Sequence, residues 1–278
     1  MAQEQVVKSN TVSFGTRGLR EQELVQVNLT PIYVVMPVYN GSRTIKNVIR
    51  RIPSFRSFAG TILVDDGSKD NSLQIVSSMD CNNLTVVSHK KNRGYGGAQK
   101  TLMKKALELG AEYIILLHQD GQYPPEIIPL LAKIALRHPS LDIILAPRSN
   151  MLQGHMPLIK YVGNRTLTSL QNAILGVTFS EYHTGMRVYS KKAMQTLNFE
   201  KYADDYFFDT QIMAEAVAHG LSFGEISIPT YYGPEVTQNT RILTYGVHCI
   251  LETLLYRAKY RYVSSKSTVK KFSPETIV

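Results

Sequence analysis

Tyr113-Ile-Ile-Leu-Leu-His-Gln-Asp-Gly-Gln-Tyr-Pro-Pro-Glu126 is an apolar run that stops abruptly in polar residues, followed by a proline pair and the start of a helical pattern. Ile114 to Leu117 show no polar alternation, so they predict a strand buried on both faces, as in a parallel sheet covered by helices. His118, Gln119, Asp120 and Gln122 then fall at its carboxyl end, where open α/β sheets bind ligands. Pro124 and Pro125 cannot donate to a sheet ladder but suit a first helical turn, and Glu126 places negative charge at its positive end. Asp120 and Gln122, with His118 as a third candidate, suit a divalent cation that keeps positions open for phosphate oxygens. A capped strand-to-helix loop would carry the same residues, and short motifs also match by chance.

The same unit recurs upstream. Ile32-Tyr-Val-Val-Met-Pro-Val-Tyr-Asn40 predicts a first buried strand ending at Pro37, a turn at Asn40-Gly41 and a helix over 44–52. Thr61-Ile-Leu-Val-Asp-Asp-Gly-Ser-Lys-Asp70 predicts a strand ending in two carboxylates, Asp65 and Asp66, with a helix over 72–79. Val86 and Val87 form a short strand before Asn92-Arg-Gly-Tyr-Gly-Gly-Ala98, and a helix is expected from Gln99 to Leu109. The glycine cluster fits neither phosphate-loop template: Gln99 stands at the third glycine of the dinucleotide fingerprint, and no Gly-Lys-Ser/Thr follows. With a helix over 127–136 after the strand at 113–117, the alternation predicts a doubly wound, mostly parallel α/β sheet with helices on both faces.

The pattern changes after Ile143-Ile-Leu-Ala-Pro-Arg148. Residues 149–176 predict a long helical excursion with Leu158, Val162, Leu167, Leu170, Ile174 and Leu175 on one face. Glu181-Tyr-His-Thr-Gly-Met-Arg-Val-Tyr-Ser190 reads as a turn before a strand, with a helix from Lys191, and Asp209 to Ala218 as a helix ended by Gly220. Glu225-Ile-Ser-Ile-Pro-Thr230 is the last expected strand. Arg241 to Tyr262 forms a basic, aromatic helical tail, and the polar end beyond it is expected to be disordered. The chain thus divides into a flexible lead-in over 1–28, one α/β domain over 29–235 and a tail over 236–278.

At 278 residues and 44% hydrophobic composition the chain supports a sizeable core. Its net charge of +9 favours anionic partners, but the bases are spread along the chain and no nucleic-acid motif stands out, so no nucleic acid is expected. Cys81 and Cys249 suggest neither a disulfide framework nor a zinc site, so a cytoplasmic setting is the default. No run approaches the ~18 apolar residues of a spanning helix, so membrane contact would be peripheral. Tyr231, Tyr232 and the tail, with Arg241, Arg257, Lys259 and Arg261, would suit an anionic lipid surface; packing on the core or on a second copy in a homo-oligomer would use the same stripe.

Taken in order, Met-Pro-Val-Tyr-Asn40, Val-Asp-Asp-Gly-Ser68, Asn-Arg-Gly-Tyr-Gly-Gly-Ala98, Gln-Asp-Gly-Gln-Tyr-Pro-Pro-Glu126, His-Thr-Gly-Met-Arg187 and Phe-Asp-Thr210 resemble the family 2 glycosyltransferases of GT-A fold. Within that family the chain looks most like the polyprenyl-phosphate enzymes of the dolichyl-phosphate mannose synthase type. The resemblance implies a Rossmann-like, mixed but mostly parallel sheet. It also implies inverting, Mn²⁺- or Mg²⁺-dependent transfer of a hexose from a UDP- or GDP-hexose donor to a polyprenyl phosphate. Carried over by position, it implies that Pro37, Tyr39 and Asn40 shape the base pocket and that Asp65 and Asp66 lie near base and ribose. Arg93, Gly94, His118 and Gln119 would line the nucleotide cleft, Asp120 and Gln122 would hold the metal, Arg148 and Arg187 would meet phosphate, and Asp209 would face the acceptor.

One residue departs from the family pattern: where an Asp-X-Asp is usual, the first acid is His118. A neutral imidazole can still ligate, better for Mn²⁺ than for Mg²⁺, so weaker binding, another metal or a hydrogen-bonding role all remain open. The chemistry needs positive charge where the departing diphosphate gains negative charge. Arg148 and Arg187 offer planar forks for phosphate oxygens, or structural pairs with Glu181, Asp204 or Asp205. His183 is an acceptor-side contact, a base or an ordinary loop histidine, and Asp209 is either a base for a hydroxyl acceptor or a helix N-cap. A glycan hydroxyl acceptor, or nucleotide-sugar binding without transfer, are the alternatives to a lipid phosphate.

Overall fold

The computed structural model describes residues 30–81, 83–153, 155–232, 242–259 and 267–273. The lead-in over 1–28, and Arg241, Arg261 and Tyr262 of the tail, lie outside them. Strands β1 (Ile32–Val38), β2 (Phe58–Asp65), β3 (Leu84–Ser88) and β4 (Tyr113–Leu116) alternate with helices α1 (Ile45–Arg50), α2 (Ser72–Ser77) and α3 (Tyr95–Glu108), and α4 (Ile128–Arg137) follows β4. After β5 (Ile143–Leu145) comes the long helix α5 (Leu158–Leu175), then β6 (Arg187–Ser190), α6 (Lys191–Thr196), α7 (Phe208–Ala218), β7 (Phe223–Ile226), α8 (Ile242–Lys259) and β8 (Val269–Phe272).

The strands make one eight-stranded sheet in the order β3-β2-β1-β4-β6-β5-β7-β8. Every pairing is parallel except those of β6, which runs antiparallel to both β4 and β5. Period-2 alternation divides the apolar side chains between two layers. Val35, Ile62, Val64, Ile114 and Leu116 face α3 and α7, whereas Val34, Met36, Leu63 and Ile115 face α1 and α4. The apolar runs without polar alternation are therefore strands covered on both faces, as expected.

Register fixes where the polar strand ends meet. Val38 lies beside Asp65 and Val35 beside Leu116, so Tyr39–Asn40, Asp65–Asp66 and the stretch after Leu116 emerge at one edge of the sheet.

Three expectations are corrected. β1 continues through Pro37 to Val38; Pro37 pairs with Val64 but lies past the last β1–β4 pair, Val35↔Leu116, where a strand tolerates a missing N–H. Helix α3 starts at Tyr95, because Gly97 N–H is taken by Asp204 O (3.1 Å) and the glycines admit that loop against the first turn. The polar end, expected to be disordered, carries a strand: Val269-Lys-Lys-Phe272 pairs with β7 as an edge strand, and Lys271 Nζ lies 3.6 Å from Glu225. Lysines on an exposed edge deter further pairing, so the polarity that hid this strand is suited to its place.

The expected tail helix, α8, packs on α5 and α7. Gln171 Nε2 donates to Thr253 Oγ1 (3.0 Å) and Gln211 Nε2 to Glu252 Oε2 (2.9 Å).

Candidate active site

The stretch after β4 holds its polar side chains over a cavity of about 680 Å³. One side is polar: Tyr95, His118, Asp120, Gln122, Arg148, His183 and Asp209. The other is largely apolar and comes from the paired helices: Leu167 and Leu170 of α5, and Val247, Ile250 and Leu251 of α8. Lys160 and Asn164 of α5 also line it. Tyr95, Lys160, Asn164 and this wall are the parts the sequence reading missed; Tyr95 stood inside a quoted motif, and the wall follows from the apolar spacing of two helices far apart in sequence.

His118 is half-buried among aromatic edges, T-shaped to Tyr95 (5.8 Å) and Tyr123 (5.6 Å). Gly185 packs on its ring so closely that a Cβ there would overlap the imidazole. Burial pushes its pKa down, opposed by Asp120 and Asp209, so the ring is neutral. Tyr95 Oη lies 3.4 Å from His118 Nε2 and 3.3 Å from Asp209 Oδ2. Burial, with Asp209 next in size, raises the Tyr95 phenol well above its ordinary value, so it stays a donor.

Asp209 lies in the first turn of α7 but is not its N-cap, and its carboxylate faces the buried Arg187 guanidinium at 3.2 Å. Arg187 donates to Thr184 O (2.9 Å), Tyr182 O (3.3 Å) and Tyr189 Oη (3.2 Å) and is not among the cavity-lining residues. The guanidinium expected to meet phosphate is held in this structure by two carbonyls, Tyr189 and Asp209. Arg148 does line the cavity, but Glu181 takes its Nε (2.7 Å), its Nη2 and its backbone N–H (2.8 Å), and Tyr232 Oη takes Nη1. Of the two readings for Arg148, the structure shows the pair with Glu181. Burial is the largest influence and works against both guanidinium charges; Glu181 with Tyr123 and Tyr232 for Arg148, and Asp209 with Tyr189 and Tyr95 for Arg187, together outweigh it, so both stay ionised.

His183 Nδ1 meets Tyr245 Oη at 3.2 Å, while its Nε2 is buried without a hydrogen-bond partner. Burial, then Arg187 and Arg148, push its pKa down to about 3. Such an imidazole is a neutral hydrogen-bonding group and a poor base near neutral pH.

His118 and Asp120 line this cavity, while the other residues expected on the nucleotide side, at the ends of β1, β2 and β3 and at Gln119, are not among its lining. Tyr39 and Gln119 bond reciprocally, Tyr39 N to Oε1 (3.2 Å) and Gln119 Nε2 to Tyr39 O (2.8 Å), which ties that side to the stretch after β4. Asn40, at φ 50°, accepts from Lys69 N and donates its own N–H to Ser68 Oγ. Asp66 accepts three protein donors: Oδ1 meets Arg93 N (2.9 Å) and His89 Nδ1 (2.6 Å), and Oδ2 takes Gly94 N (2.9 Å). It is the neighbouring Asp65 that keeps a buried oxygen, Oδ1, without a partner. Gly94 sits at φ 88° with Asp204 O where a Cβ would be, so only glycine fits this turn.

Among the described residues, no three His, Cys, Asp or Glu side chains group as a metal site of their own. Asp120 Oδ1 accepts Gln122 N (3.0 Å), and the buried Gln122 amide nitrogen has no partner. One carboxylate, one amide and a neutral imidazole fit a cation that arrives with phosphate oxygens, since Mg²⁺-type sites commonly take one or two carboxylates plus substrate phosphates.

The profile described as glycosyl transferase family 2 matches residues 33–197, more than half of the chain. The chain belongs to that family. Among its relatives, a UDP-N-acetylglucosamine–dolichyl-phosphate N-acetylglucosaminyltransferase of Methanococcus voltae is 30% identical over 72% of this chain and 86% of that protein. The low-salt glycan biosynthesis hexosyltransferase Agl6 of Haloferax volcanii is 29% identical over 74% of this chain and 49% of that protein. Glucosyl-3-phosphoglycerate synthase from Mycobacterium tuberculosis, solved with Mn²⁺, UDP-glucose and phosphoglyceric acid, superposes with a TM-score of 0.63. It shares 17% identity over 83% of this chain and 80% of that one, a likeness of fold. The resemblance to family 2 and the GT-A sheet are therefore confirmed, and this family 2 member is a glycosyltransferase. No helix among its described residues is long and apolar enough to cross a membrane.

Proposed function

We propose that the chain is an inverting, metal-assisted enzyme moving a hexose or N-acetylhexosamine from a UDP- or GDP-sugar to a polyprenyl phosphate. One observation carries this reading: the polar residues after β4 and an apolar wall of α5 and α8 line the same cavity. A small polar acceptor has no use for that wall, whereas an isoprenoid chain gains roughly 25 cal/mol for each Å² of apolar surface it loses to water there. The relative acting on dolichyl phosphate supports the same acceptor class.

In this reading Asp120, Gln122 and His118 hold Mn²⁺ or Mg²⁺ against the donor diphosphate, and Asp65 meets the nucleoside. The bound cation supplies charge stabilisation for the departing diphosphate. An acceptor phosphate oxygen is already anionic and attacks the anomeric carbon without a base as the bond to diphosphate breaks. Lys160 and His183 orient that phosphate, while Asp209 and Arg187 hold Tyr95 against His118.

Exposed apolar residues surround the wall. Leu158 and Ile159 of α5 are 66% and 70% exposed, and Val247 and Leu255 of α8 are 59% and 63%. They suit a peripheral seat on a membrane surface, from which a lipid acceptor enters the cavity.

The test is nucleoside diphosphate release with Mn²⁺ across a panel of UDP- and GDP-sugars, with and without polyprenyl phosphate. Release that depends on the lipid phosphate supports the reading; release only with glycan acceptors shifts it to a hydroxyl acceptor.

A further inference from the structure

The turn that follows β1 hangs its backbone on side chains from other elements. Tyr39 N donates to Gln119 Oε1 (3.2 Å), Asn40 N to Ser68 Oγ (2.9 Å), Gly41 N to Ser72 Oγ (2.7 Å) and Ser42 N to Asp70 Oδ2 (3.0 Å). Ser68, Asp70 and Ser72 come after β2, whereas Gln119 comes after β4, next to Asp120. The Gln119 amide therefore joins the expected nucleoside side to the residues over the cavity, and the proposed reaction gives it no role.

Strand geometry explains why a side chain makes this link. The β1–β4 ladder runs as far as Leu117 N to Val35 O (3.0 Å), and Pro37 has no N–H with which to continue it. β4 itself ends at Leu116, and the chain turns at Gly121, φ 70°. The Gln119 amide carries the same two groups as a peptide bond and meets both polar atoms of Tyr39. Oε1 accepts the Tyr39 N–H, and Nε2 donates to the Tyr39 carbonyl (2.8 Å). The amide can face only one way, because a backbone N–H only donates and a carbonyl only accepts. Pairing between the two segments is thus resumed at Tyr39 while the main chain is released to place Asp120 over the cavity.

Gly41 makes room for the amide. It is not at positive φ, so no backbone strain calls for glycine, yet a Cβ there would overlap the Gln119 amide. The overlap is with the far end of a flexible side chain, so an added methyl displaces the amide and leaves the fold in place.

We propose that Gln119 is a positioning residue for the nucleotide sugar: its amide clasps Tyr39 and sets the nucleoside turn at a fixed distance from Asp120. This rests on the reading that Tyr39 and Asn40 face the nucleoside while Asp120 serves the diphosphate. A donor that spans both ends binds best when the two segments are already set; without the clasp, binding must also order Tyr39. The loss falls on donor binding, and attack at the anomeric carbon keeps its rate.

Two measurements test it. Amide hydrogen exchange of the full chain, resolved by NMR, reads the clasp without nucleotide. The Tyr39 N–H exchanges about tenfold faster in Gln119→Ala and in Gly41→Ala, the scale of one hydrogen bond, while Val34 to Met36 keep wild-type rates. Unchanged Tyr39 exchange in both variants overturns the proposal. Calorimetry with UDP and with GDP, each with Mn²⁺, then reads nucleotide affinity. Each single variant binds about tenfold more weakly than wild type. The double variant binds no more weakly than Gln119→Ala, because both changes break the same contact. With whichever of UDP-N-acetylglucosamine, UDP-glucose and GDP-mannose is used as donor, KM rises by that factor and kcat at saturation stays within about twofold. Single variants that bind nucleotide as wild type does, or a double variant about a hundredfold weaker, overturn the positioning role and leave the donor reading standing. If wild type binds neither UDP nor GDP, it is the donor reading that fails, and the positioning role fails with it.

Discussion

Replacing Glu181 by Gln is the sharpest test of how the polar side of the cavity is held. Glu181 and Arg148 are 1% and 5% exposed, and the carboxylate receives four donors: Arg148 N (2.8 Å), Nε (2.7 Å) and Nη2, and Asn164 Nδ2 (3.1 Å). Glutamine preserves shape but removes the charge, and its NH₂ must turn toward one of those donors. Breaking one partner of a buried pair costs about 3–5 kcal/mol, because the remaining ion stays buried and uncompensated. That is a large share of the ~5–15 kcal/mol that holds most proteins folded. For a chain of this size it corresponds to a melting point lowered by roughly 6–20 °C. Thermal unfolding followed by circular dichroism, with urea titrations as a check, reads the effect. A Glu181→Gln protein within about 1 kcal/mol of wild type would refute the reasoning, and Arg148 would then have to be a solvated cation available to substrate.

Asp209→Asn separates the acceptor classes: a phosphate acceptor needs no base, so kcat falls by roughly tenfold or less through loss of the Arg187 and Tyr95 contacts, whereas a base for a hydroxyl acceptor contributes about 10²–10⁴-fold. Leu251→Glu puts a charge on the apolar wall; steady-state kinetics should show a KM for the lipid phosphate raised at least about tenfold, with donor affinity by calorimetry unchanged. His183 gives a pH signature in stability. Its folded pKa of about 3 lies below the ordinary 6.5, so the unfolded chain takes up a proton first as pH falls, and the stability present above ~6.5 is lost between there and about 3. Urea unfolding from pH 7 to 5 should lose up to about 1.4 kcal/mol per pH unit through this group, and His183→Asn should remove that slope.

The mostly parallel, doubly covered sheet was legible because buried parallel strands leave a plain trace: apolar runs without alternation, each ending in Asp, Asn or Gln. Ile114–Leu117 followed by His118-Gln-Asp120 is the clearest instance. Partners across the chain were not legible. Whether Arg148 and Arg187 meet substrate or protein depends on Glu181 and on the carbonyls of Tyr182 and Thr184, placed by the antiparallel insertion of β6, which the local pattern does not announce. Asp65 and Asp66 are neighbours at one strand end, and their partners lie elsewhere in the chain: Asp66 accepts the backbone N–H groups of Arg93 and of Gly94, the latter at φ 88°, and meets the ring of His89. The apolar wall needs two helices that the chain separates by β6, α6, α7 and β7, so each read alone was an amphipathic helix with an unassigned partner.

The central claim is that the residues after β4 and the α5–α8 wall serve one reaction on a lipid phosphate. The direct measurement supplies purified protein with radiolabelled nucleotide sugar, Mn²⁺ and a choice of polyprenyl phosphate or 3-phosphoglycerate, and counts label extracted into organic solvent and label retained in water. Label entering the organic phase as a glycosylated polyprenyl phosphate, and falling at least about a hundredfold in Asp120→Asn, is the predicted result. Transfer to phosphoglycerate alone, or lipid product undiminished in Asp120→Asn, would contradict it.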